Sequence, residues 1–311
     1  MLRQQFGWSI LLVSLVGTSC YQPQMFSVFG RLLNSAEGWI AARKVNADLD
    51  EACAKYPVGP DSDYGYASKE PKFDHSLWDG VMKRCVSAGS VDGITTNVVD
   101  YSLVAKDGDV AKYREALASA NLEELASAPN ELLALYINAY NCLCIGHVTR
   151  YLKENNGQLP TSITETTPPS QKGTEIWDFE AGVVGGETVS LNDIEHKILR
   201  SMWAEPRVHA SIVCASASCP NLLPEAFVAD RLNEQMDGQA RMWVADKTKG
   251  VKVEKGDQVF SRIFLWFAGD FEASGGPVNW ASKYLPDDTA REISDKDNMK
   301  YFTYNWNLNK K

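Results

Sequence analysis

Apolar residues recur at helical spacing along much of this chain, and the longest such stretch runs from 130 to 152. At about 100° per residue, Tyr140 and His147 share one face of this helix, whereas Asn138 and Asn141 share another. Apolar residues cover both faces between them, so the pattern predicts a central helix that is buried on all sides. Shorter helices are predicted, in chain order, at 77–82, 113–120, 122–126, 191–202, 222–247, 264–267 and 280–285.

Two hairpins are predicted where polar and apolar residues alternate on either side of glycine-containing turns. They join residues 177–184 to 188–191 and residues 251–253 to 258–260. Together the elements predict an α+β fold, in which a buried central helix packs on a small, mostly antiparallel sheet and other helices surround it.

A third alternating run, residues 209–213, predicts a strand that ends in a loop of small residues. His209, Ser211 and Val213 would then share one face of this strand. A histidine on a strand that faces polar groups on a helix resembles the papain-like and transglutaminase-like architectures. This is an analogy of fold alone and carries no function.

Residues 1–20 have the layout of a secretory signal sequence. One positive charge, Arg3, precedes an apolar run that is too short to span a bilayer, and small residues follow it. A buried N-terminal helix is the alternative. We expect a secreted or lumenal protein in which residues 1–20 are a signal peptide, residues 21–72 form an N-terminal extension and linker, and residues 73–309 form one domain.

Composition excludes one class of partner. The chain has 311 residues, with 31 Lys and Arg against 40 Asp and Glu, which gives a net charge of −9. Binding to nucleic acid needs clustered basic residues, and the sequence has no dense basic run. We expect a monomer, without a membrane span after signal removal, that acts on a small molecule or peptide and needs no cofactor. Aromatic residues at 301–309 predict a C-terminal tail that docks on the core.

The stretch from Arg207 to Pro220 most clearly indicates chemistry. It holds His209, one of four histidines, and two of the seven cysteines. The small residues 215–218 would let backbone N–H groups approach a ligand, and Pro220 restricts Cys219 to an extended conformation. The pattern therefore predicts a sulfur that is directed into a cleft.

The leading interpretation is a thiol-dependent hydrolase or acyltransferase that acts on an amide or ester. A cysteine would be the nucleophile and a histidine its base. A carboxylate would orient the imidazole, and an asparagine would stabilise the oxyanion. The predicted catalytic residues are Cys219, Cys214, His209, His196, Glu195 and Asn141. The predicted substrate-binding residues are Asn138, Arg207, Ser216 and Ser218.

Two other interpretations make the protein a non-catalytic ligand-binding, metal-binding or scaffolding module. In one, His196, His209 and the two cysteines bind zinc. The spacing between the two cysteines is looser than in a zinc knuckle, and the sequence has no second cysteine pair of this kind, so we expect no metal. In the other, Cys214 and Cys219 form a loop-closing disulfide, which an oxidising compartment would favour.

Four side chains on the predicted central helix have structural interpretations of their own. Cys142 and Cys144 are expected to be buried free thiols. Asn138 and Asn141 need partners, because unpaired buried amides are costly. They would tie down neighbouring loops if they do not serve the reaction.

Six segments in one order resemble the family known as domain of unknown function 547 (DUF547). They are residues 73–78, 136–141, 191–200, 206–209, 214–220 and 304–309. The resemblance spans about residues 73–309 and implies that the histidines, cysteines and asparagines above belong to one site. It brings no reaction with it.

The chain departs from the family pattern at three positions. Cys85 stands where the family more often has an aromatic or aliphatic residue, which favours a disulfide with Cys53. Tyr136 replaces the usual Phe-Trp start of the asparagine motif. Asn305 stands where an aspartate is common, which puts a carboxylate role there in doubt.

Overall fold

The computed structural model describes residues 72–171, 174–293 and 299–311. The predicted signal peptide, the predicted extension as far as residue 71, and Cys53 lie outside these ranges. The α-helices are α1 (Ser76–Cys85), α2 (Tyr101–Val104), α3 (Gly108–Ala118), α4 (Leu122–Leu125), α5 (Pro129–Glu154), α6 (Arg200–Trp203), α7 (Val208–Ser211), α8 (Leu232–Val244), α9 (Arg262–Trp266), α10 (Gly276–Ser282) and α11 (Asp287–Glu292).

Strands and irregular helical turns connect these helices. The strands are β1 (Val86–Val91), β2 (Ile94–Val99), β3 (Glu180–Val184), β4 (Glu187–Ser190), β5 (Val251–Glu254), β6 (Asp257–Phe260) and β7 (Met299–Tyr301). Short 3₁₀ helices lie at Ile163–Thr166, Pro169–Gln171, Ala229–Arg231 and Ala268–Ser274, and a π-helical segment lies at Asp193–Leu199.

Helix α5 is the predicted central helix. It begins with Pro129, whose missing N–H would have had no partner within the helix, and it is buried along almost its whole length. Its length and its mean hydropathy of 1.3 would suit a membrane span, but 100% of that apolar window is buried inside the protein. Because the rest of the domain covers every face, α5 is a core helix here.

The strands form three separate small sheets. Two are the antiparallel hairpins β1–β2 and β3–β4, and in the third β7 adds to the β5–β6 hairpin parallel to β6. The predicted α+β class is confirmed, and both predicted hairpins form. Hairpin β1–β2 is missing from the prediction, although its turn, Asp92-Gly93, is a residue pair that favours two-residue hairpins and has φ angles of 52° and 79°.

The predicted helix at 222–247 is too long. Helix α8 begins at Leu232, and the residues before it run along the side of α5. The backbone N–H of Phe227 donates to Asn138 Oδ1 at 3.0 Å, so this segment bonds to a side chain of another helix instead of forming its own helical turn. Helices α9 and α10 each begin earlier than predicted.

Two hydrophobic cores meet at α7. The larger core surrounds α5, and the smaller one contains Trp243, Phe264 and Trp280. Val208 packs in the larger core and Ala210 in the smaller, so the single turn of α7 joins them. Residues from both cores line the candidate site.

Replacement of Gly250 by alanine is expected to destabilise the protein by roughly 1–3 kcal/mol or more, since a methyl group there has no space. Its Cβ would lie 1.9 Å from the carbonyl oxygen of Trp243 and 2.8 Å from that of Val244. Gly238→Ala in α8 is the matched control, because nothing lies within 4 Å of its Cβ position. That change should stabilise the helix by about 0.5–1 kcal/mol. Urea unfolding of both variants measures the difference, and equal stabilities would refute the clash.

Candidate active site

The strand predicted for residues 209–213 is wrong, because the chain forms the single helical turn α7 before it extends. The N–H of His209 donates to the carbonyl of Pro206 at 3.1 Å, and that of Ile212 to the carbonyl of Val208 at 2.9 Å. So short a β-branched run does not distinguish a strand from a helical turn. His209 and Ser211 therefore do not share a face.

A cavity of about 160 Å³ collects five of the six predicted catalytic residues, namely Cys214, Cys219, His209, His196 and Glu195. The other residues that line it are Tyr140, Trp177, Asn192, Ile212, Ile263, Trp266, Phe267, Tyr304 and Trp306. Pockets for drug-sized ligands hold about 300–1,000 Å³. The cavity thus suits a small group or one end of a larger molecule.

The two asparagines of α5 bind backbone instead of lining the cavity. Asn141 Nδ2 donates to the carbonyl of Ser211 at 3.0 Å, and its Oδ1 accepts from the N–H of Val213 at 2.8 Å. Asn138 holds Phe227 in the same two-sided way, at 2.8 and 3.0 Å. This geometry fits the structural interpretation of both residues. Because both polar atoms of the Asn141 amide bind backbone outside the cavity wall, Asn141 is not placed to stabilise an oxyanion there.

The other predicted substrate-binding residues also organise the loop and its neighbours. Arg207 binds Glu205 and Asp237, at 2.6 and 2.9 Å. Ser216 Oγ lies 3.0 Å from the hydroxyl of Tyr304, and Ser218 Oγ accepts from the N–H of Asn305 at 2.9 Å. The structure places none of these three side chains on the cavity wall, and their role toward a substrate stays a prediction.

The C-terminal tail docks on the core, as predicted, and it does so along the small-residue loop. The N–H of Ala217 donates to the carbonyl of Asn307 at 2.8 Å, and that of Asn309 to the carbonyl of Ala215 at 2.9 Å. Leu308 between them is 1% exposed. This seam brings Tyr304 against the sulfur of Cys214.

All cysteines in the described ranges are free thiols: Cys85, Cys142, Cys144, Cys214 and Cys219. Cys142 and Cys144 are the predicted buried thiols, and burial raises the pKa of Cys142 to about 12. The alternative disulfide between Cys214 and Cys219 is absent from this structure. The described residues also contain no group of three or more His, Cys, Asp or Glu side chains that could hold a metal ion.

Cys214 has the thiol best suited to ionise. Its Sγ lies 3.0 Å from Ser216 Oγ and 3.2 Å from the hydroxyl of Tyr304. A hydrogen bond from the Cys219 thiol, together with these hydroxyls, lowers the pKa of Cys214 to about 7 against the effect of burial. Burial and the adjacent Cys214 sulfur raise the pKa of Cys219, so Cys214 is the thiol of the pair that ionises first.

A buried chain of charged groups links the two histidines of the cavity. Asp270 accepts from Nε2 of His209 at 2.7 Å and from two nitrogens of Arg200, at 2.6 and 2.9 Å. Arg200 also donates to Nδ1 of His196 at 2.6 Å. Burial opposes ionisation of Asp270, but the hydrogen bonds from His209 and Arg200 outweigh it and hold its pKa well below the usual range.

These hydrogen-bond partners show which ring nitrogen of each histidine carries the proton. Because Nε2 of His209 donates to Asp270, Nδ1 carries the lone pair and can act as a base. Because Arg200 can only donate, Nδ1 of His196 accepts and Nε2 carries the proton. Burial lowers the pKa of His196, so it is a neutral hydrogen-bond donor.

Glu195 lines the cavity, but it does not orient an imidazole, contrary to the prediction. Its Oε2 accepts from the hydroxyl of Tyr140 at 3.3 Å, and no hydrogen bond joins it to either histidine in the described part of the chain. On α7 the ring of His209 stacks on Phe267, with centroids 4.4 Å apart, and turns to Asp270 instead. The positioning carboxylate is therefore Asp270.

Asp270 and Tyr304 are the site residues that sequence reasoning missed. Asp270 lies in a short segment with apolar neighbours, Phe267 and Phe271, and an acid among aromatic residues was the available signal. Tyr304 stands at the start of a segment that resembles the DUF547 family, but nothing local linked it to a thiol 90 positions earlier.

Comparison with known proteins gives a family match. Residues 124–244 match the model of the family described as "Protein of unknown function, DUF547". The match begins within α4 and includes α5, His196, α7 and the cysteine pair, and it ends with α8. No curated protein and no solved structure matches the chain.

Proposed function

We propose, for a chain that belongs to the DUF547 family through residues 124–244, that the cavity is the active site of a hydrolase or acyltransferase. The bond attacked would be an amide or ester, and Cys214 would be the nucleophile. The observation that carries this proposal is an acidic thiol that shares a small cavity with a carboxylate-oriented imidazole.

Each reacting group has a defined task. The Cys214 thiolate forms a bond to the carbonyl carbon, and the carbonyl π electrons move to its oxygen. Nε2–H of His196, a neutral imidazole that lines the cavity, would donate to that oxygen. Nδ1 of His209 takes the thiol proton before this attack, and Asp270 stabilises the imidazolium. When the tetrahedral intermediate collapses, its C–N or C–O bond breaks and His209 delivers the proton to the leaving amine or alcohol. Water or a second acceptor, deprotonated by His209, then attacks the thioester carbon, the C–S bond breaks, and the Cys214 sulfur leaves.

Cys219 has a supporting task in this scheme. Its thiol donates to the Cys214 sulfur, and its own Sγ accepts the N–H of Cys214 at 3.1 Å. The structure thereby favours Cys214 over Cys219, although the sequence left the choice open. Substrate binding would have to bring the Cys214 thiol and Nδ1 of His209 within hydrogen-bond distance, and catalytic pairs commonly tighten in this way when a ligand binds.

Alkylation by iodoacetamide tests the proposal. We expect one cysteine to react fast, with a rate that rises with pH and is half-maximal near pH 7, because the thiolate is the nucleophile and the pKa of Cys214 is lowered to about 7. Cys214→Ser should abolish this labelling. Cys142→Ser, which removes a buried thiol on α5, should leave it intact. Incubation with p-nitrophenyl acetate should leave an acetyl group on Cys214 by mass spectrometry.

The opposite results have clear meanings. Equal, slow labelling of all cysteines, or acetyl transfer that survives Cys214→Ser, would contradict a thiol mechanism and favour a non-catalytic module. Metal analysis of the purified protein separates the zinc form of that alternative. We further propose that residues 1–20 direct export, which N-terminal sequencing of secreted protein would show by a new terminus near residue 21.

A further inference from the structure

The cavity carries negative charge without a compensating cation of its own. Among the described residues that line it, Glu195 is the one carboxylate, and there is no lysine or arginine. The guanidinium of Arg200 lies 4.7 Å from the ring centroid of Phe267 and is bound to Asp270. Glu195 accepts from Tyr140, and the described residues offer its carboxylate no other hydrogen bond.

Aromatic rings add to this negative character. The ring centroid of Trp306 lies 6.1 Å from that of Trp177, 5.8 Å from that of Trp266 and 4.4 Å from that of Tyr304. All four rings line the cavity, and Trp306 is 36% exposed despite its size. The face of an aromatic ring attracts cations, tryptophan most strongly, and aromatic cages of this kind recognise alkylammonium groups.

We propose that this aromatic and acidic cavity binds an alkylammonium group, so that the substrate of the proposed reaction carries a positively charged amine next to its amide or ester. The cation would lie among Trp177, Trp266 and Trp306 and pair with Glu195. The role as substrate recognition rests on the proposed function, whereas the binding itself does not.

Charge decides between a cation and a neutral apolar occupant. A neutral group would pack on the rings equally well, but it would displace water from the Glu195 carboxylate and supply no partner. Removing water from an unpaired charge is costly. An alkylammonium group covers the same rings and neutralises the carboxylate at the same time. An anionic occupant would be repelled both by the Glu195 carboxylate and by the Cys214 thiolate.

Choline and its uncharged isostere 3,3-dimethylbutan-1-ol test the inference. Both are titrated by calorimetry into the Cys214→Ser variant, in which thiol chemistry cannot occur. We expect choline to bind at least about fivefold more tightly than the isostere. Butylammonium is the third ligand tested, because a primary amine can also donate a hydrogen bond to Glu195. If it binds more tightly than choline, the substrate carries a lysine-like primary amine; if it binds more weakly, the substrate carries a quaternary ammonium group.

Matched variants locate the site. Glu195→Gln should remove most of the preference for choline, and Trp306→Leu should weaken choline binding. Glu187→Gln, at an exposed position of β4, should leave the preference unchanged. Equal binding of choline and the isostere, no binding of either, or a preference that survives Glu195→Gln would overturn the inference. Failed alkylation at Cys214 with an intact preference would instead refute the proposed reaction alone.

Discussion

Replacement of Asp270 by asparagine is expected to destabilise the protein by about 3 kcal/mol or more. Asp270 and Arg200 are only 6% and 5% exposed, and the carboxylate accepts two hydrogen bonds from the guanidinium as well as one from His209. A neutral amide cannot balance that buried positive charge. Breaking a buried ion pair from one side is costly, because the remaining charge has already lost its water.

The loss should depend on pH in a defined direction. The pKa of Asp270 is lower in the folded protein than the unfolded value of about 4, so its contribution is present above that value and disappears as the pH falls towards the folded pKa. Urea unfolding between about pH 5 and pH 2 should therefore show a steeper loss of stability for the wild type than for Asp270→Asn.

An exposed ion pair provides the control for Asp270. Asp257 lies 2.6 Å from Lys300, with side-chain exposures of 48% and 59%. Asp257→Asn should change the free energy of unfolding by no more than about 0.5 kcal/mol, because water screens such pairs. If both variants lost the same stability, the buried chain of charges would have no special weight in the fold.

Replacement of Tyr304 by phenylalanine is expected to slow alkylation of Cys214 about fivefold at pH 7, which corresponds to a rise of about one unit in the pKa of the thiol from its value of about 7. The hydroxyl of Tyr304 lies 3.2 Å from Cys214 Sγ and stabilises the thiolate. The rate at pH 10 should stay unchanged, since the thiol is ionised there in either protein. A full pH profile of the alkylation rate separates the two effects.

Tyr301→Phe is the control in the same tail. Its hydroxyl donates to Met299, away from the cysteine pair, so the profile should be that of the wild type. A profile for Tyr304→Phe that falls at every pH, with its midpoint still near 7, would mean that Tyr304 only shapes the loop and does not stabilise the thiolate.

The prediction of the central helix succeeds because α5 is long and apolar on every side. The β3–β4 hairpin succeeds because Gly185-Gly186 adopts positive φ angles of 57° and 83°, which glycine permits. His209, Cys214 and Cys219 line one cavity, and the sequence indicated them together because a histidine, two cysteines and a run of small residues are adjacent in sequence. Each of these signals depends only on residues a few positions apart.

Tertiary structure decides what each side chain in the site does. His209 meets Asp270 61 positions away, and Cys214 meets Tyr304 90 positions away. These contacts lower the pKa of Cys214 while that of Cys219 is raised, and they make Asp270, not Glu195, the carboxylate that His209 binds. Local patterns determine helices and turns because they reflect short-range sterics and burial, whereas hydrogen-bond partners and pKa values depend on which distant segments pack together.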